Sequence, residues 1–328
     1  MQINKNKNNK RIIIVTLKII ISVGLIIILL VKTNLYEIYL SFIHSNLLYL
    51  LLAILTPFIS VALRAHKWQC LLNVLDVQSK FSTLTKLYLI GMFYNNFFPT
   101  TIGGDVAKIY LTSKVYKNPD KIMWSILIDR FTGMTSLNLA TLLLLVFFRS
   151  YLYMKEYKIW IVILAVLNVI LIFSLLWGDI FFNYIIKFSF FHRKSWLHEL
   201  IQRQAMLLSL YRKKHLIFLY AIFLGIIFYL LIGVQVYFGC LALNISAPIG
   251  KIILIVFLVA YITIIPVSFN GIGVLESGYA FFFSKIGVSI SVGFAIGLIS
   301  RLSLILMSLI GGLINLLPLK CDKTIKEE

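Results

Sequence analysis

Two acidic residues in otherwise apolar stretches occupy equivalent places in two copies of one pattern. Asp105 follows a Pro/Gly-containing interruption at 99–104, and Glu276 follows a slightly longer one at 266–273. An arginine comes 25 residues after each acid, Arg130 in the first copy and Arg301 in the second. A guanidinium can bind a phosphate with two parallel hydrogen bonds, while a carboxylate can balance that charge, take a proton or bind an ammonium group. Paired interruptions of this kind in two halves of a membrane protein indicate a transporter's substrate site.

Three acids and two arginines are expected inside apolar helical segments. Of the twelve acidic residues, the three predicted to lie at membrane depth are Asp105, Asp129 and Glu276. Intramembrane charge is costly and therefore indicates function by default. Alternatives remain for each: helix capping for Asp105 and Glu276, and structural pairing of Arg301 with one of those acids. Arg130 is partly able to reach the interface.

Arg64 lies at the cytoplasmic end of a predicted span, where an interfacial anchor is the alternative to a functional role. The interruptions also contain glycines that loosen the backbone, and asparagines that either donate to a phosphate or satisfy the broken backbone. These are Asn95, Asn96, Gly103, Gly104, Asn270, Gly271 and Gly273.

The composition is that of a membrane protein. Hydrophobic residues make up 60% of the chain and charged residues 13%, and the mean hydropathy is +0.95. A soluble protein has about twice that share of charged residues. No metal-ligand cluster, nucleophile-base pair or Walker-type loop is visible, so we expect no metal, no cofactor and no catalytic residues. Three scattered cysteines give no disulfide framework.

The apolar runs and the basic residues together predict a topology. Full spans are expected near 12–31, 47–63, 122–148, 159–177, 216–243 and 288–317. Lysines and arginines are concentrated in alternate connections, which is the positive-inside pattern and places both termini in the cytoplasm. Segment 178–215 is then a basic, amphipathic cytoplasmic segment, with a surface helix at Trp196 to Tyr211. The same pattern accounts for the net charge of +19 without a nucleic-acid partner.

The broken segments 84–115 and 252–285 each begin and end on one side of the membrane. The arms after each break are about ten residues long, too short to cross. We therefore expect two re-entrant helical hairpins, although two short full spans would satisfy the charges equally. The fold class is all-α and polytopic, with one membrane domain over 1–328 and an inverted-topology repeat: repeat one spans 47–148 and repeat two spans 216–317.

At these residues the chain resembles a known family, the flippase-like integral-membrane domain of lysylphosphatidylglycerol synthetases, which also occurs without the soluble aminoacyltransferase domain. The resemblance covers nearly the whole chain in order and rests on these stretches: Arg64–Trp68, Asn95–Pro99, Gly103–Lys108, Asp129-Arg130, Pro266–Glu276 and Arg301. The family usually has Glu-Arg at the position of Asp129-Arg130 and Pro-Gly-Gly at the position of Phe269-Asn270-Gly271. The resemblance implies the movement of an aminoacylated or otherwise modified phospholipid between leaflets of the plasma membrane.

Other functions remain open from the sequence. The chain is alternatively a membrane subunit of a lipid-modifying transferase, which would need a separate catalytic partner because the longest cytoplasmic segment has only 38 residues. A polyprenyl-linked glycosyltransferase would need acids on its outer loops, where only Glu37 and Glu156 occur. A secondary transporter of another solute has a similar topology.

Overall fold

The computed structural model describes residues 2–97, 103–147, 195–265 and 267–317, and isolated parts of 162–184. Throughout these residues the regular structure is helical. The helices are α1 Gln2–Lys32, α2 Leu35–Ile43, α3 Leu47–Val74, α4 Phe81–Asn95, α5 Gly103–Tyr116, α6 Pro119–Phe147, α7 Ser195–Lys213, α8 His215–Ala242, α9 Ile249–Ile264, α10 Val274–Ser284 and α11 Ile290–Asn315. A single 3-10 turn, Phe269–Gly271, lies between α9 and α10.

Several of these helices are long and apolar enough to cross a membrane. Within the described residues they are α3, α8 and α11, and the pair Ile19–Lys32 and Leu35–Ile43, bent by 82°, would add a fourth. Helix α6 has 29 residues, about 44 Å, but it carries Asp129 and Arg130 midway. The predicted spans 47–63, 122–148, 216–243 and 288–317 thus occur as helices, and 12–31 lies within α1. The chain is an all-α, multi-pass membrane protein.

Only part of the span predicted at 159–177 lies within the described residues, and 162–163 and 165–173 are helical there. The helix predicted from Trp196 to Tyr211 is present as α7. Its Arg203 makes an exposed ion pair with Asp120, at 2.9 Å. Of segment 178–194, only residues 180 and 184 are among those described.

Both predicted interruptions separate short helices. The first divides α4 from α5, although its centre, 98–102, falls outside the described residues. The second divides α9 from α10. These four helices have 11 to 16 residues, so each is at most about 24 Å long and shorter than a hydrocarbon core of about 30 Å. Re-entry of the hairpins stays a prediction.

Two helical segments lie outside the predicted spans. Helix α3 continues eleven residues past 63 and ends at Val74, so Arg64 and Lys67 lie within a helix and not after it. The next strong break is Asp76, which has a left-handed backbone at φ 56°. The outer connection expected at 32–46 also contains a helix, α2, capped by Asn34, whose Oδ1 accepts from the N–H of Tyr36 at 3.0 Å.

The described residues divide into two compact units. The first comprises the described parts of Met1–Val61, Lys86–Lys108 and Tyr229–Pro318, and the second those of Ala62–Thr85 and Ile109–Phe228. The unit boundaries fall inside helices and do not coincide with the predicted repeats. Both interruptions belong to the first unit, because α4 from Lys86, α5 up to Lys108 and everything from α9 to α11 are there.

In the first unit, helix α11 crosses α4 at a glycine. A Cβ at Gly311 would overlap the main-chain carbonyl of Leu89, which has no side-chain freedom with which to yield. We expect Gly311→Ala to destabilise the protein by about 1–3 kcal/mol, the usual range for overpacking. Gly24→Ala is the matched control, since a Cβ there meets nothing within 4 Å, and it should not lower stability. Thermal unfolding of both variants in detergent measures the difference, and equal midpoints would contradict this helix crossing.

Candidate functional site

The second interruption is held in an unusual backbone conformation. Asn270, Gly271 and Gly273 have φ of 48°, 68° and 81°, all in the left-handed region. Glycine adopts this region without steric cost, and asparagine tolerates it better than most residues. Gly273 has a second constraint, because a Cβ there would lie 2.8 Å from Cβ of Leu25 on α1. The interruption is therefore a defined turn that packs against the first helix, where Ser22 also accepts a hydrogen bond from the N–H of Phe269 at 2.9 Å.

Glu276 stabilises this turn from the first turn of α10. Its Oε2 accepts from the N–H of Gly273 at 2.8 Å, which is the capping contact expected from the sequence. Its Oε1 lies 2.6 Å from Nε of Arg301 in an ion pair. The residue is only 4% exposed, so its charge depends on these partners.

Arg301 on α11 binds both the acid and the backbone of the turn. Its Nη1 donates to the carbonyl of Asn270 at 3.2 Å and its Nη2 to the carbonyl of Gly271 at 2.8 Å. The guanidinium fork thus neutralises Glu276 and satisfies two carbonyls released by the broken helix. The sequence left open whether Arg301 has a functional role or pairs structurally with an acid. The structure contains the pair with Glu276, and this pair lies at the second interruption.

Close packing brings these two side chains together. A Cβ at Gly297 would lie 2.8 Å from Cα of Glu276 and 3.3 Å from its Cβ. Gly297 is one helical turn before Arg301, so it lets α10 approach α11 where the ion pair forms. Any larger residue at Gly297 would separate the helices that carry the pair.

The first interruption is capped by a residue other than the expected one. Oδ1 of Asn95 accepts from the N–H of Gly104 at 2.7 Å, so Asn95 satisfies the start of α5 from across the break. Asp105 does not act as the N-cap; it lies in the first turn of α5 and pairs with Lys108 at 2.8 Å. The ammonium group of Lys108 also lies 4.3 Å from the ring centre of Tyr88. Gly103 begins the helix, and a Cβ at Gly104 would overlap the carbonyl of Gly91 on α4.

The two interruptions contact each other within the first unit. Nδ2 of Asn270 donates to Oδ1 of Asn96, and Nδ2 of Asn96 donates to Oγ of Ser308 on α11. One amide side chain from each interruption is therefore part of a single polar chain that reaches α11. Asn96 and Asn270 bond to side chains here, whereas Asn95 accepts from a backbone N–H at the break, which is one of the two roles predicted for the asparagines.

The second unit contains another buried ion pair. Nζ of Lys67 on α3 lies 2.9 Å from Oδ1 of Asp129 on α6 and donates to the carbonyl of Asp129 at 3.0 Å. Their side chains are 7% and 6% exposed. Next to Lys67, the indole of Trp68 donates to Oγ of Ser125 at 2.9 Å and is fully buried. Lys67 lies four residues after the predicted span 47–63, and α3 carries it into the packed interior of this unit.

The two remaining arginines of the predicted site also lie in the second unit. Arg130 is half-buried on α6. Arg64 is half-buried on α3, with its guanidinium carbon 4.8 Å from the ring centre of Phe228. A cation over an aromatic face is a favourable contact that also suits an interfacial anchor.

Each of the three acids predicted inside the membrane thus has a basic partner: Asp105 with Lys108, Asp129 with Lys67, and Glu276 with Arg301. The structure gathers Asn96, Gly103, Gly104, Asp105, Asn270, Gly271, Gly273, Glu276 and Arg301 in the first unit, and Arg64, Asp129 and Arg130 in the second. Sequence reasoning missed the roles of Lys67, Lys108 and Ser308. Of these, Lys108 had a readable signal, since it follows Asp105 at helical spacing.

Across the described residues, no group of three or more His, Cys, Asp or Glu side chains is arranged to hold a metal ion. The site contains charged and polar groups: buried carboxylates, a guanidinium fork and amide groups beside two helix ends. Such groups recognise anions and ammonium groups.

Comparison with known families gives one match. The model of the family described as the lysylphosphatidylglycerol synthase TM region matches residues 15–312. Neither a curated protein nor a solved structure matches the chain.

Proposed function

Because this chain belongs to the lysylphosphatidylglycerol synthase transmembrane family, as its resemblance predicted, we propose that it moves a phospholipid between the leaflets of the plasma membrane. The family gives the chain a membrane-associated, lipid-related function. The proposed cargo is a phospholipid with an aminoacylated or otherwise modified headgroup. The observation that best supports transport is the contact between the two helix interruptions beside the buried Glu276–Arg301 pair.

A lipid carrier must lower the cost of moving a charged headgroup. Without partners, a charge moved into hydrocarbon meets a penalty on the order of tens of kcal/mol. A polar groove that holds the headgroup while the acyl chains stay in the bilayer removes most of that penalty. Interrupted helices are suited to such a groove, since irregular backbone at membrane depth is tolerated only against protein or water.

In the proposed mechanism Arg301 exchanges partners. A phosphodiester offers the same two-oxygen edge as Glu276 and can accept from the guanidinium in its place. Glu276 is then available for an ammonium group of the headgroup or for a proton. Arg301 also binds the carbonyls of Asn270 and Gly271. A change of partner at Arg301 would therefore alter the backbone of the second interruption.

The other charged residues of the predicted site have supporting roles. Asp105, paired with Lys108 in the first turn of α5, supplies charge beside the first interruption. Asp129 and Arg130 on α6, and Arg64 on α3, are the proposed headgroup-binding residues of the second unit. The two hairpins enter from opposite leaflets, both termini are cytoplasmic, and motion of one repeat against the other gives alternating access.

Liposome exchange with the purified full chain tests this function. A phospholipid labelled on an anionic or aminoacylated headgroup is placed in one leaflet, and its appearance in the other is followed over time. We expect the protein to speed this exchange at least tenfold over protein-free liposomes and to leave the lipid chemically unchanged.

The same experiment tests the transferase alternative, which the word synthase in the family's description favours. A donor arm supplies aminoacyl-tRNA or an activated sugar. A modified lipid that forms in this arm, with no acceleration of exchange in its absence, would replace the carrier with a transferase subunit. No acceleration and no product in either arm would exclude these lipids as cargo.

A further inference from the structure

A cavity of about 420 Å³ lies in the first unit, and none of its lining residues belongs to the two interruptions. Its volume is in the usual range for small-molecule sites. Three connections surround it: α2, the segment between α8 and α9, and the segment between α10 and α11. Its polar lining residues are Glu37, Asn244, Ser246, Lys251 and Ser289.

The cavity is built from segments that the charge pattern places on the outer side. Hydrogen bonds hold them together: the N–H of Asn46 donates to the carbonyl of Ala242 at 2.9 Å, and Nδ2 of Asn244 to the carbonyl of His44 at 3.1 Å. The N–H of Asn34 donates to Oγ of Ser291 at 2.9 Å. The cavity walls are therefore fixed by contacts between segments distant in the sequence.

Opposite charges line this cavity although the segments around it carry almost none. Glu37 is the one formal charge between residues 33 and 46, and Lys251 is the one between 244 and 251. Both are half-buried and both line the cavity. Nothing general requires the single charged residue of a surface connection to line a cavity. Because Glu37 and Lys251 both do so and have opposite charges, the cavity suits a ligand that carries both a positive and a negative charge.

The anionic end of such a ligand fits beside Lys251. This residue is in the first turn of α9, whose N-cap is Pro248 with no side-chain capping contact. The amide groups at that helix start and the ammonium group favour a phosphate. The cationic end fits beside Glu37, whose Oε1 accepts from the hydroxyl of Ser289 at 2.6 Å and is thereby held in place.

We propose that this cavity is an outer-leaflet binding site for a zwitterionic phospholipid headgroup, with the phosphate at Lys251 and the ammonium group at Glu37. Apolar residues of the lining, among them Leu243, Ile245 and Val288, suit the glycerol and the first acyl carbons. The proposal rests on the proposed function, since it describes where cargo is received or released at the outer surface. It adds a charge preference that the helix interruptions do not specify.

Equilibrium binding to the purified full chain tests the site without requiring transport. Titration calorimetry compares short-chain phosphatidylethanolamine with short-chain phosphatidylglycerol, which lacks the amine, and with soluble glycerophosphoethanolamine. We expect the ethanolamine lipid to bind about tenfold more tightly than the glycerol lipid. Equal affinity of the soluble compound and the ethanolamine lipid would overturn a membrane lipid as the ligand and leave a soluble compound with the same headgroup.

Variants assign the two ends of the ligand. Glu37→Gln keeps an acceptor for Ser289 and should erase the tenfold preference for the amine, while Lys251→Gln should weaken both lipids about tenfold. Ser246→Trp fills the cavity from an exposed position and should abolish binding without removing a charge. Lys285→Gln, a nearby lysine outside the cavity lining, is the matched control and should bind as the unmodified protein does.

The outcomes separate the site from the function. Unchanged affinities in Glu37→Gln, Lys251→Gln and Ser246→Trp would overturn the binding site. If these variants lose binding but still exchange lipid normally, the cavity is not a cargo site, and the proposed function stands. Intact, variant-sensitive binding with no lipid exchange would overturn the proposed function and leave the site.

Discussion

Arg301→Gln is expected to reduce lipid exchange between liposome leaflets to the protein-free rate. The glutamine cannot offer a phosphate the charged fork that Arg301 presents, and it removes the contacts with the carbonyls of Asn270 and Gly271. It also leaves Glu276 buried without its ionic partner, which costs about 3–5 kcal/mol. The measurements are the exchange rate at matched protein density and the unfolding midpoint in detergent.

A second variant separates transport from folding. In Arg301→Gln/Glu276→Gln both charges are gone and an amide still faces an amide, so much of the lost stability should return. Exchange should stay at the background rate, because Arg301, the cation proposed to bind the phosphate, is absent. Recovery of both stability and exchange in this double variant would show that the pair is only structural.

Arg203→Gln is the matched control for loss of an arginine. Arg203 also makes an ion pair, with Asp120, but its side chain is 61% exposed. Exposed pairs contribute about 1 kcal/mol at most, so stability and exchange should remain near those of the unmodified protein. A similar loss in this control would indicate a general effect of net charge.

The long apolar helices could be predicted well because length and hydropathy determine them. Helix α8, His215–Ala242, lies within one residue of the prediction at both ends, and α11 lies within two. In both, the apolar run is bounded by polar or turn-forming residues on each side. Helix α3 extends past the predicted span 47–63 because helical hydrogen bonding continues until a residue stops it, and Asp76 does so.

From the sequence, the residues of the candidate site could be predicted better than the contacts between them. The repeated spacing of acid and arginine identified Glu276 and Arg301, which do pair. The same spacing would suggest Asp105 with Arg130, but the partner found for Asp105 is Lys108, three residues away on the same helix. A local contact between neighbouring turns is formed whenever the helix forms, so it does not depend on packing between elements.

Contacts between amide side chains depended on tertiary packing and left little trace in the sequence. Asn95 reaches Gly104, and Asn96 reaches Asn270 and Ser308. An asparagine beside a break indicates that polar groups need partners, but not which ones. Only the packing of the two interruptions and α11 in one unit decides the pairing.

In the second unit, breaking the Lys67–Asp129 pair is expected to have the largest effect on stability. Lys67→Met keeps the length of the side chain and removes its charge, which leaves Asp129 6% exposed and without the ammonium group. We expect a loss of about 3–5 kcal/mol, measured by denaturant or thermal unfolding in detergent. Asp129→Leu should lower stability by a similar amount, because it leaves the buried ammonium group of Lys67 without its carboxylate partner.

The double variant Lys67→Met/Asp129→Leu should recover most of that loss, because two apolar residues can replace a buried pair at little cost. Arg203→Met/Asp120→Leu applies the same replacement to the exposed pair and should change stability by about 1 kcal/mol or less at each step. A Lys67→Met variant as stable as the unmodified protein would contradict the burial of the pair. If the double variant is stable but exchanges no lipid, Asp129 and Lys67 act on the headgroup path; if it exchanges lipid normally, their role is to join α3 to α6.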